Sequence, residues 1–438
     1  MKGRFSTYML TSMADTWDVF VGELKRVFRD PEVLLIFVVA GLAYPFIYNL
    51  IYYKNVIEDV PVAVVDMCGT EDSRAFIFNW DATPEVKVVY ACATMEEAEH
   101  LLKAQKIHGI LYIPADYSVT LASGMETAHI SVYVDMSSFL YIKNVYLSAN
   151  LVALEEMNRI QVDRYEAMNM GEQMSWALVQ GVRYDDISLF NPTAGYGTFL
   201  VPAVLILILH QTLLFGICVL CGTAIEENSE VFLLPGKKRR YSVLRIILGR
   251  SAAYLTLYMA IGAFDLLVVP RIFNLPHIGL NWDIIRMMLP FLLATIYMSM
   301  SIGIFLKERE MGMVTLLFTS LIFIFISGIS WPFEAMPHFW QVAAKTIPAT
   351  LGINAYIHLN SMGATLSTIA DEYYGLWIQA GAYFLLCTLI YLIRSRIHER
   401  NAVRLERIAA LRKVVKAKHQ AVTLMERRNG ARQAEHKE

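Results

Sequence analysis

Six long runs of apolar residues divide the chain, and each predicts a transmembrane helix. Each run is close to the ~20 residues that an α-helix needs to cross the hydrocarbon core of a bilayer. The runs are 33–53, 200–220, 246–269, 287–305, 313–329 and 376–393. The alternating pattern of an outer-membrane barrel strand does not occur, so the sequence predicts a multi-pass protein of the cytoplasmic (inner) membrane.

The stretch before the first run has the pattern of an amphipathic helix. Apolar residues recur there at helical spacing, and charged residues lie between them. The apolar set is Trp17, Phe20, Val21, Leu24 and Phe28. An aromatic-rich stripe beside basic side chains is typical of a helix that lies in the membrane interface. We therefore predict that residues 1–32 form a cytoplasmic interfacial helix before transmembrane helix 1 at 33–53.

The segment 54–190 has short apolar runs that are broken by acidic residues. Four of these runs, at 60–66, 86–91, 107–113 and 129–134, predict strands that alternate with helices. This alternation is typical of an α/β domain. The segment holds 20 Asp and Glu against 9 Lys and Arg. The predicted fold class is an α-helical integral membrane bundle of six transmembrane helices with an inserted extracytoplasmic α/β domain.

The distribution of basic residues predicts the orientation of the spans. Lys25, Arg26, Arg29, the 226–245 loop, the 307–310 turn and the tail all fall on one side, and positive charge marks the cytoplasmic side. Both termini are then cytoplasmic and 54–190 is extracytoplasmic. Residues 191–395 hold transmembrane helices 2 to 6, with a coupling loop at 222–245. Residues 396–438 form a charged cytoplasmic tail, predicted to be helical.

Composition agrees with a membrane protein and excludes several other classes. Charged residues make up 18 %, below the ~25 % of soluble domains. The net charge of -2 gives no basic surface for a nucleic acid. Gly236-Lys237 lacks the spacing of a phosphate-binding loop, and HExxH, GxSxG and metal-ligand clusters do not occur. We expect no catalytic residues, no metal and no cofactor bound by this chain.

A few polar residues within or beside the apolar runs are candidates for a transport pathway. His210 and Gln211 lie in the middle of the second run, and Asp265 lies near the outer end of the third. His210 has an alternative role in a hydrogen bond between helices. The alternative for Asp265 is a carboxylate that reaches the interface or pairs there.

Two pairs of cysteines require separate interpretations. Cys218 and Cys221 lie in an apolar run, which favours small residues of a membrane helix over a redox motif. Cys68 and Cys92 each follow a predicted strand of the extracytoplasmic segment. The sequence leaves open whether a disulfide joins them, and the oxidising side of the membrane would permit one.

The order of the predicted elements is accompanied by local motifs along most of the chain. The motifs are RVFRDP at 26–31, VPVAVVD at 60–66, GILYIPAD at 109–116, FNP at 190–192, QTLL at 211–214 with Gly222-Thr223 and Glu226-Glu227, and 327–332 with Glu334, Pro337 and Pro348. Together they resemble the ABC-2 type transporter permease family, in its drug-exporter-like branch with a large first extracytoplasmic loop. The resemblance covers the chain to residue 395.

The resemblance implies a dimer of such subunits, either a homodimer or a heterodimer with a related permease. A separate ABC nucleotide-binding subunit would bind the ATP and dock on residues 1–30 and 222–245. The implied coupling residues are Trp17, Phe20, Arg26, Glu226, Glu227 and Lys237. Residues 331–370 would re-enter the membrane as short helices, which makes Glu334 a further pathway candidate.

The sequence leaves more than one function open. An ABC exporter permease, with the lipid membrane and a periplasmic adaptor as further partners, fits all of these features. A non-transporting membrane receptor or scaffold with an extracytoplasmic ligand-binding domain is the alternative, and a membrane-embedded enzyme is a third. The substrate is not encoded in any motif.

Overall fold

The computed structural model describes residues 2–182, 187–227, 242–398 and 400. The chain divides into two compact units, each with its own hydrophobic core. One unit combines residues Met1–Tyr53 and Thr198–Glu438, and the other is Lys54–Gly197. The second unit begins where the sequence predicts the α/β domain and ends seven residues beyond its predicted boundary at 190.

The chain begins with helix α1, which spans Lys2–Arg29. Glu23 and Val27 are buried, whereas Trp17 and Phe28 are exposed. The exposed aromatic side chains are the ones that would contact an interface, while a charged side chain faces inward. Helix α1 ends at Arg29. The carboxylate of the next residue, Asp30, caps the following helix by accepting hydrogen bonds from the backbone N–H groups of Glu32 and Val33.

The Lys54–Gly197 unit contains a four-stranded sheet with the order β2-β1-β3-β4. The strands are β1 (Val60–Asp66), β2 (Val86–Ala91), β3 (Gly109–Ile113) and β4 (Ser131–Val134). Strand β1 is parallel to β2 and β3, and β4 is antiparallel to β3. The helices that follow the strands are α2 (Glu71–Asp81), α3 (Met95–Lys103), α4 (Tyr117–Ser123), α5 (Phe139–Ala167) and α6 (Glu172–Val179).

Alternation along β1 explains why helices cover both faces of this sheet. Val62 and Val64 belong to one buried cluster with side chains of α2 and α5, whereas Ala63 and Val65 belong to another with Ala98 of α3. Successive side chains of a strand point to opposite faces, so a strand that is apolar throughout must be covered twice. The predicted α/β domain is therefore a three-layer structure.

Among the described residues, six helices are long and apolar enough to cross a membrane. Spans 1 to 6 are Pro31–Ile51, Tyr196–Glu226, Val243–Ile272, Asn281–Gly303, Arg309–Ile326 and Ala370–His398. Each overlaps one predicted run, which confirms the predicted fold class of a helical membrane bundle with an inserted α/β domain. Spans 1 and 3 each contain a short π-helical segment, at Leu35–Ala40 and Phe264–Val268.

Short helices lie between spans 5 and 6, where the sequence predicts a re-entrant segment at 331–370. A 3-10 turn at Phe333–Ala335 is followed by α7 (His338–Thr346) and α8 (Pro348–Asn360). Helix α8 packs against span 4, and the hydroxyl of Tyr356 donates a 2.9 Å bond to the backbone carbonyl of Leu266 in span 3. The depth of this segment in a bilayer stays a prediction.

Candidate coupling site

Helix α1 is fixed to span 3 by close packing and by two ion pairs. Gly249 provides the close approach, because a Cβ there would lie 2.8 Å from the carbonyl oxygen of Thr16. Nearby, Arg245 donates a 2.6 Å hydrogen bond to the carboxylate of Asp15. One helical turn further along span 3, a second arginine makes a more deeply buried pair with α1.

This second arginine, Arg250, is the centre of a buried network. Its Nε donates to Oε1 of Glu23 at 2.8 Å, and its other nitrogens donate to the hydroxyls of Tyr391 at 2.8 Å and Tyr254 at 3.0 Å. The Tyr254 hydroxyl also donates to Glu23. A longer contact of 3.5 Å reaches the sulfur of Cys221. The network therefore joins α1 to spans 2, 3 and 6.

Glu23 is held as a carboxylate despite its burial. Burial alone would raise its pKa, but the charge of Arg250, the Tyr254 hydroxyl and the charge of Arg26 outweigh burial and hold the pKa of Glu23 below its ordinary value. Arg26 approaches the same carboxylate at 3.9 Å. A buried pair of full charges is strongly destabilised when only one partner is removed, because the other then remains unpaired in an apolar environment.

A second arginine cluster joins the start of span 1, the end of span 2 and the start of span 5. Arg309 donates to the carboxylates of Asp30 at 2.6 Å and Glu32 at 2.7 Å. The backbone N–H of Arg309 donates to Glu226 at 3.2 Å. Gly222 allows the contact, because a Cβ there would lie 2.5 Å from the carbonyl oxygen of Glu308.

An open cavity of about 380 Å³ lies at this end of the bundle, which we call the α1 end. It is lined by residues of both the α1–span 1 junction and the starts or ends of spans 2 and 5. The lining is Arg26, Arg29, Asp30, Pro31, Glu32, Leu220, Thr223, Ala224, Glu227 and Arg309. Charged groups of both signs at its rim suit a protein partner better than an apolar ligand.

The structure brings part of the predicted coupling set together. Arg26 and Glu227 line the same cavity, and Glu226 lies beside Arg309. Trp17 and Phe20, which lie earlier in α1, stack on each other with ring centroids 4.9 Å apart. Lys237 lies outside the described residues.

Comparison with known families decides what kind of membrane protein this is. The model of a family described as ABC-2 family transporter protein matches residues 31–389. The chain belongs to this family. The matched region contains all of spans 1 to 5 and most of span 6, and it begins directly after α1 and Asp30. Comparison with curated proteins gives no match.

Membership of the ABC-2 family makes the chain a multi-pass membrane component of an ABC transporter and implies a nucleotide-binding partner. Such a subunit is not a classical enzyme, because the ATPase activity belongs to a separate subunit. The ion pairs of the candidate coupling site cross the boundary of the matched region: Asp15 and Glu23 lie before it, whereas their partners Arg245 and Arg250 lie within it.

The pathway candidates of the permease do not take part in the two arginine networks described above. Both ring nitrogens of His210 are buried and have no hydrogen-bond partner among the described residues, so the expected bond between helices is not formed. The ring packs edge-on against Phe323 of span 5, with centroids 5.2 Å apart. The amide of Gln211 is also without a partner in the described part of the chain, and Glu334 is exposed.

The structure does not agree with the alternative role of Asp265 as a carboxylate that reaches the interface or pairs there. It is 0 % exposed, so it does not reach the interface, and neither carboxylate oxygen has a hydrogen-bond partner among the described residues. It lies in the π-helical segment of span 3.

Cys68 and Cys92 are both free cysteines in the structure, so the disulfide that the sequence leaves open is not formed. The sulfur of Cys68 lies 3.3 Å from the hydroxyl of Thr70 and 3.5 Å from that of Ser118. Cys92 is buried in the cluster on the α3 face of the sheet, whereas Cys68 packs against the cluster on the opposite face. The sheet therefore separates the two thiols.

The sequence does not single out the residues at the centre of the two networks, which include Glu23, Arg250, Tyr391 and Arg309. A signal exists for Arg250, because it is a charged residue inside the third apolar run, and such residues are expensive unless they are paired. No signal identifies its distant partners Glu23 and Tyr391, which are 227 and 141 residues away in the chain.

Proposed function

We propose that the chain is the permease subunit of an ABC exporter, which moves a substrate across the cytoplasmic membrane with ATP hydrolysed by a separate nucleotide-binding subunit. Two permease subunits, identical or related, form the transport pathway. Family membership and the coupling site support this proposal. The resemblance of the sequence to the drug-exporter-like branch supports the direction of transport.

The proposed orientation places the α1 end of the bundle in the cytoplasm. Lys25, Arg26, Arg29 and Arg309 lie at this end, in agreement with the preference of positive charge for the cytoplasmic side. The Lys54–Gly197 unit follows span 1 and would then be outside, where an adaptor or a substrate is free to reach it.

The observation that carries the proposal is the buried bond between Glu23 and Arg250. A nucleotide-binding subunit that docks on α1 and on the end of span 2 contacts the two elements from which the arginine networks begin. Charge-assisted hydrogen bonds of 2.6–2.8 Å are short and strong. Movement of α1 is therefore transmitted to spans 3 and 6 through Arg250, and movement near Glu226 to spans 1 and 5 through Arg309.

The proposal is tested by reconstituting the full chain in proteoliposomes with the ABC-type ATPase that forms a stable complex with it. Glu226→Ala with Glu227→Ala is expected to abolish the acceleration of ATP hydrolysis that the permease confers. Glu310→Ala is the matched control, because Glu310 is an exposed acid at the start of span 5 outside the cavity lining.

Two results would contradict this function. Transport by the purified chain without any ATPase would exclude an ABC permease. Acceleration that survives the paired glutamate substitutions, with a ligand bound to the Lys54–Gly197 unit, would favour the receptor alternative instead.

A further inference from the structure

Asp265 is enclosed by protein rather than by lipid, which makes its lack of a partner unusual. It is 0 % exposed, and both carboxylate oxygens are without a hydrogen-bond partner in the part of the chain that the structure describes. An unpaired carboxylate in an apolar interior is unstable by several kcal/mol. A neutral carboxylic acid would still need an acceptor for its proton, so protonation alone does not satisfy the site.

The backbone around Asp265 departs from a regular helix. Phe264–Val268 is π-helical between the α-helical segments Val243–Ala263 and Val269–Ile272. Such wide turns in helices are rare and frequently occur at functional sites. Helix α8 holds this turn, because the Tyr356 hydroxyl bonds to the carbonyl of Leu266. The irregular geometry is therefore stabilised by the protein, and it positions Asp265.

The surroundings of Asp265 are aromatic. The charge of Asp265 acts electrostatically on the phenols of Tyr258 and Tyr356, and the Tyr356 hydroxyl bonds to the carbonyl of the next residue, Leu266. The adjacent Phe264 stacks on Phe46 of span 1 at 6.0 Å. The faces of aromatic rings attract organic cations, and a carboxylate supplies the opposite charge.

The basic residue nearest to Asp265 in the sequence does not serve as its counter-charge. Arg271, six residues after Asp265, donates to the side chain of Asn281 at 3.0 Å. An inorganic cation is also a poor fit, because it requires several oxygen ligands. Among the described residues, no group of three or more His, Cys, Asp or Glu side chains could hold a metal ion.

We propose that Asp265 is the centre of an intramembrane site that binds the positively charged group of an apolar organic cation. This inference rests on the proposed function, for which it names the substrate class. The carboxylate neutralises the charge of the substrate, the Tyr258 hydroxyl bonds to the substrate or to the carboxylate, and the aromatic rings contact its apolar body.

Binding of the tetraphenylphosphonium cation to the full chain in lipid nanodiscs tests the site directly. Asp265→Asn keeps the shape of the side chain and removes its charge, and it should weaken binding about tenfold or more. Asp283→Asn is the matched control, because Asp283 is a buried acid at the start of span 4 that is already paired with Arg286 at 3.6 Å. Its removal should leave binding unchanged. The tetraphenylborate anion has the same shape and the opposite charge, and it should not bind at this site.

Equal binding of tetraphenylphosphonium by wild type and Asp265→Asn would overturn the proposal, as would wild-type binding that does not distinguish the two ions. Neither measurement needs the ATPase, so a failure here is separate from a failure of the proposed function.

A second measurement on wild-type protein keeps the test valid if Asp265→Asn does not fold. Dicyclohexylcarbodiimide adds to protonated carboxyl groups in apolar sites, and the modified peptide is identified by mass spectrometry. Asp265 should be modified, and tetraphenylphosphonium should slow the modification. Modification at an unchanged rate in the presence of this cation, or no modification of Asp265, would contradict the proposal.

Discussion

Arg250 donates a hydrogen bond of 2.8 Å to Glu23 across 227 residues of sequence, and it does so in the interior of the protein. The side chains are 1 % and 4 % exposed. One partner belongs to α1 and the other to span 3. Separation of α1 from the bundle would therefore leave Glu23 and Arg250 without each other in an apolar environment. This pair makes α1 a mechanical part of the membrane bundle and not only an anchor on its surface.

Removal of Arg250 is expected to destabilise the protein strongly. Arg250→Gln leaves the Glu23 carboxylate buried without its main counter-charge, which corresponds to about 3–5 kcal/mol. Thermal unfolding of the detergent-purified chain should show a marked decrease in Tm. Arg245→Gln is the matched control, because its pair with Asp15 is more exposed and should contribute less.

The same pair can be examined by a double-mutant cycle. In Glu23→Gln with Arg250→Gln neither member of the pair remains as a buried charge without the other, so much of the stability lost in Arg250→Gln should return. If the two single losses simply added, the energetic coupling between these residues would be disproved.

Arg309 is expected to matter more for coupling than for stability. Its side chain is 25 % exposed, so its ion pairs contribute at most about 1 kcal/mol each. Asp30→Asn keeps an oxygen that caps span 1 but removes one of the two carboxylate charges that Arg309 binds, the other being that of Glu32. In the complex with the ATPase, this variant should lose most of the stimulated ATP hydrolysis with little change in Tm.

Asp30→Ala is the comparison for this prediction. It removes the helix cap as well as the charge, and it should reduce stability by about 1 kcal/mol more than Asp30→Asn. Normal coupling in Asp30→Asn would show that the bond between Arg309 and Asp30 does not transmit movement between spans 1 and 5.

The fold was largely predictable because its elements are encoded by local patterns. Continuous apolar runs identify the six spans, and the strand at 60–66 is apolar at every position but its last, as expected for a strand covered on both faces. The π-helical turn at Asp265 was not predictable, because it depends on contacts with α8 that are distant in sequence.

The candidate coupling site was predicted only in part, for a related reason. The motif around Glu226 and Glu227 marks one half of it. The other half consists of long-range ion pairs, and amphipathicity misleads at this point. Glu23 has the sequence position of a solvated charge between apolar residues, yet it faces the bundle while Trp17 is 63 % exposed.

Gly216 is expected to tolerate no side chain. A Cβ there would lie 1.6 Å from the ring of Phe37, which is fully buried and packs edge-on against Tyr254 and Tyr258. The ring cannot move aside, so Gly216→Ala should lower the free energy of unfolding by an amount typical of overpacking, about 1–3 kcal/mol, and lower Tm with it. Thermal unfolding in detergent measures the effect.

Gly381 in span 6 provides the matched control, because nothing lies within 4 Å of the Cβ that alanine would add. Gly381→Ala should be neutral or stabilising, since alanine favours a helix by about 1 kcal/mol over glycine. Phe37→Leu combined with Gly216→Ala should recover part of the loss. Equal stability of the Gly216 and Gly381 variants would disagree with the observed packing of spans 1 and 2.

Cys68 is expected to be the more reactive of the two thiols in the Lys54–Gly197 unit. Hydrogen bonds with the hydroxyls of Thr70 and Ser118 stabilise its thiolate and lower its pKa, whereas burial and the charge of Glu97 raise the pKa of Cys92. A lower pKa means a larger thiolate fraction at neutral pH, and the thiolate is the nucleophile. Iodoacetamide should therefore modify Cys68 faster, as measured by peptide mass spectrometry over time.

Ser118→Ala should raise the pKa of Cys68 and shift its alkylation to higher pH, with Cys92 as the internal reference. Two thiols that react only after reduction would instead show that a disulfide joins them, which this arrangement of the sheet does not allow.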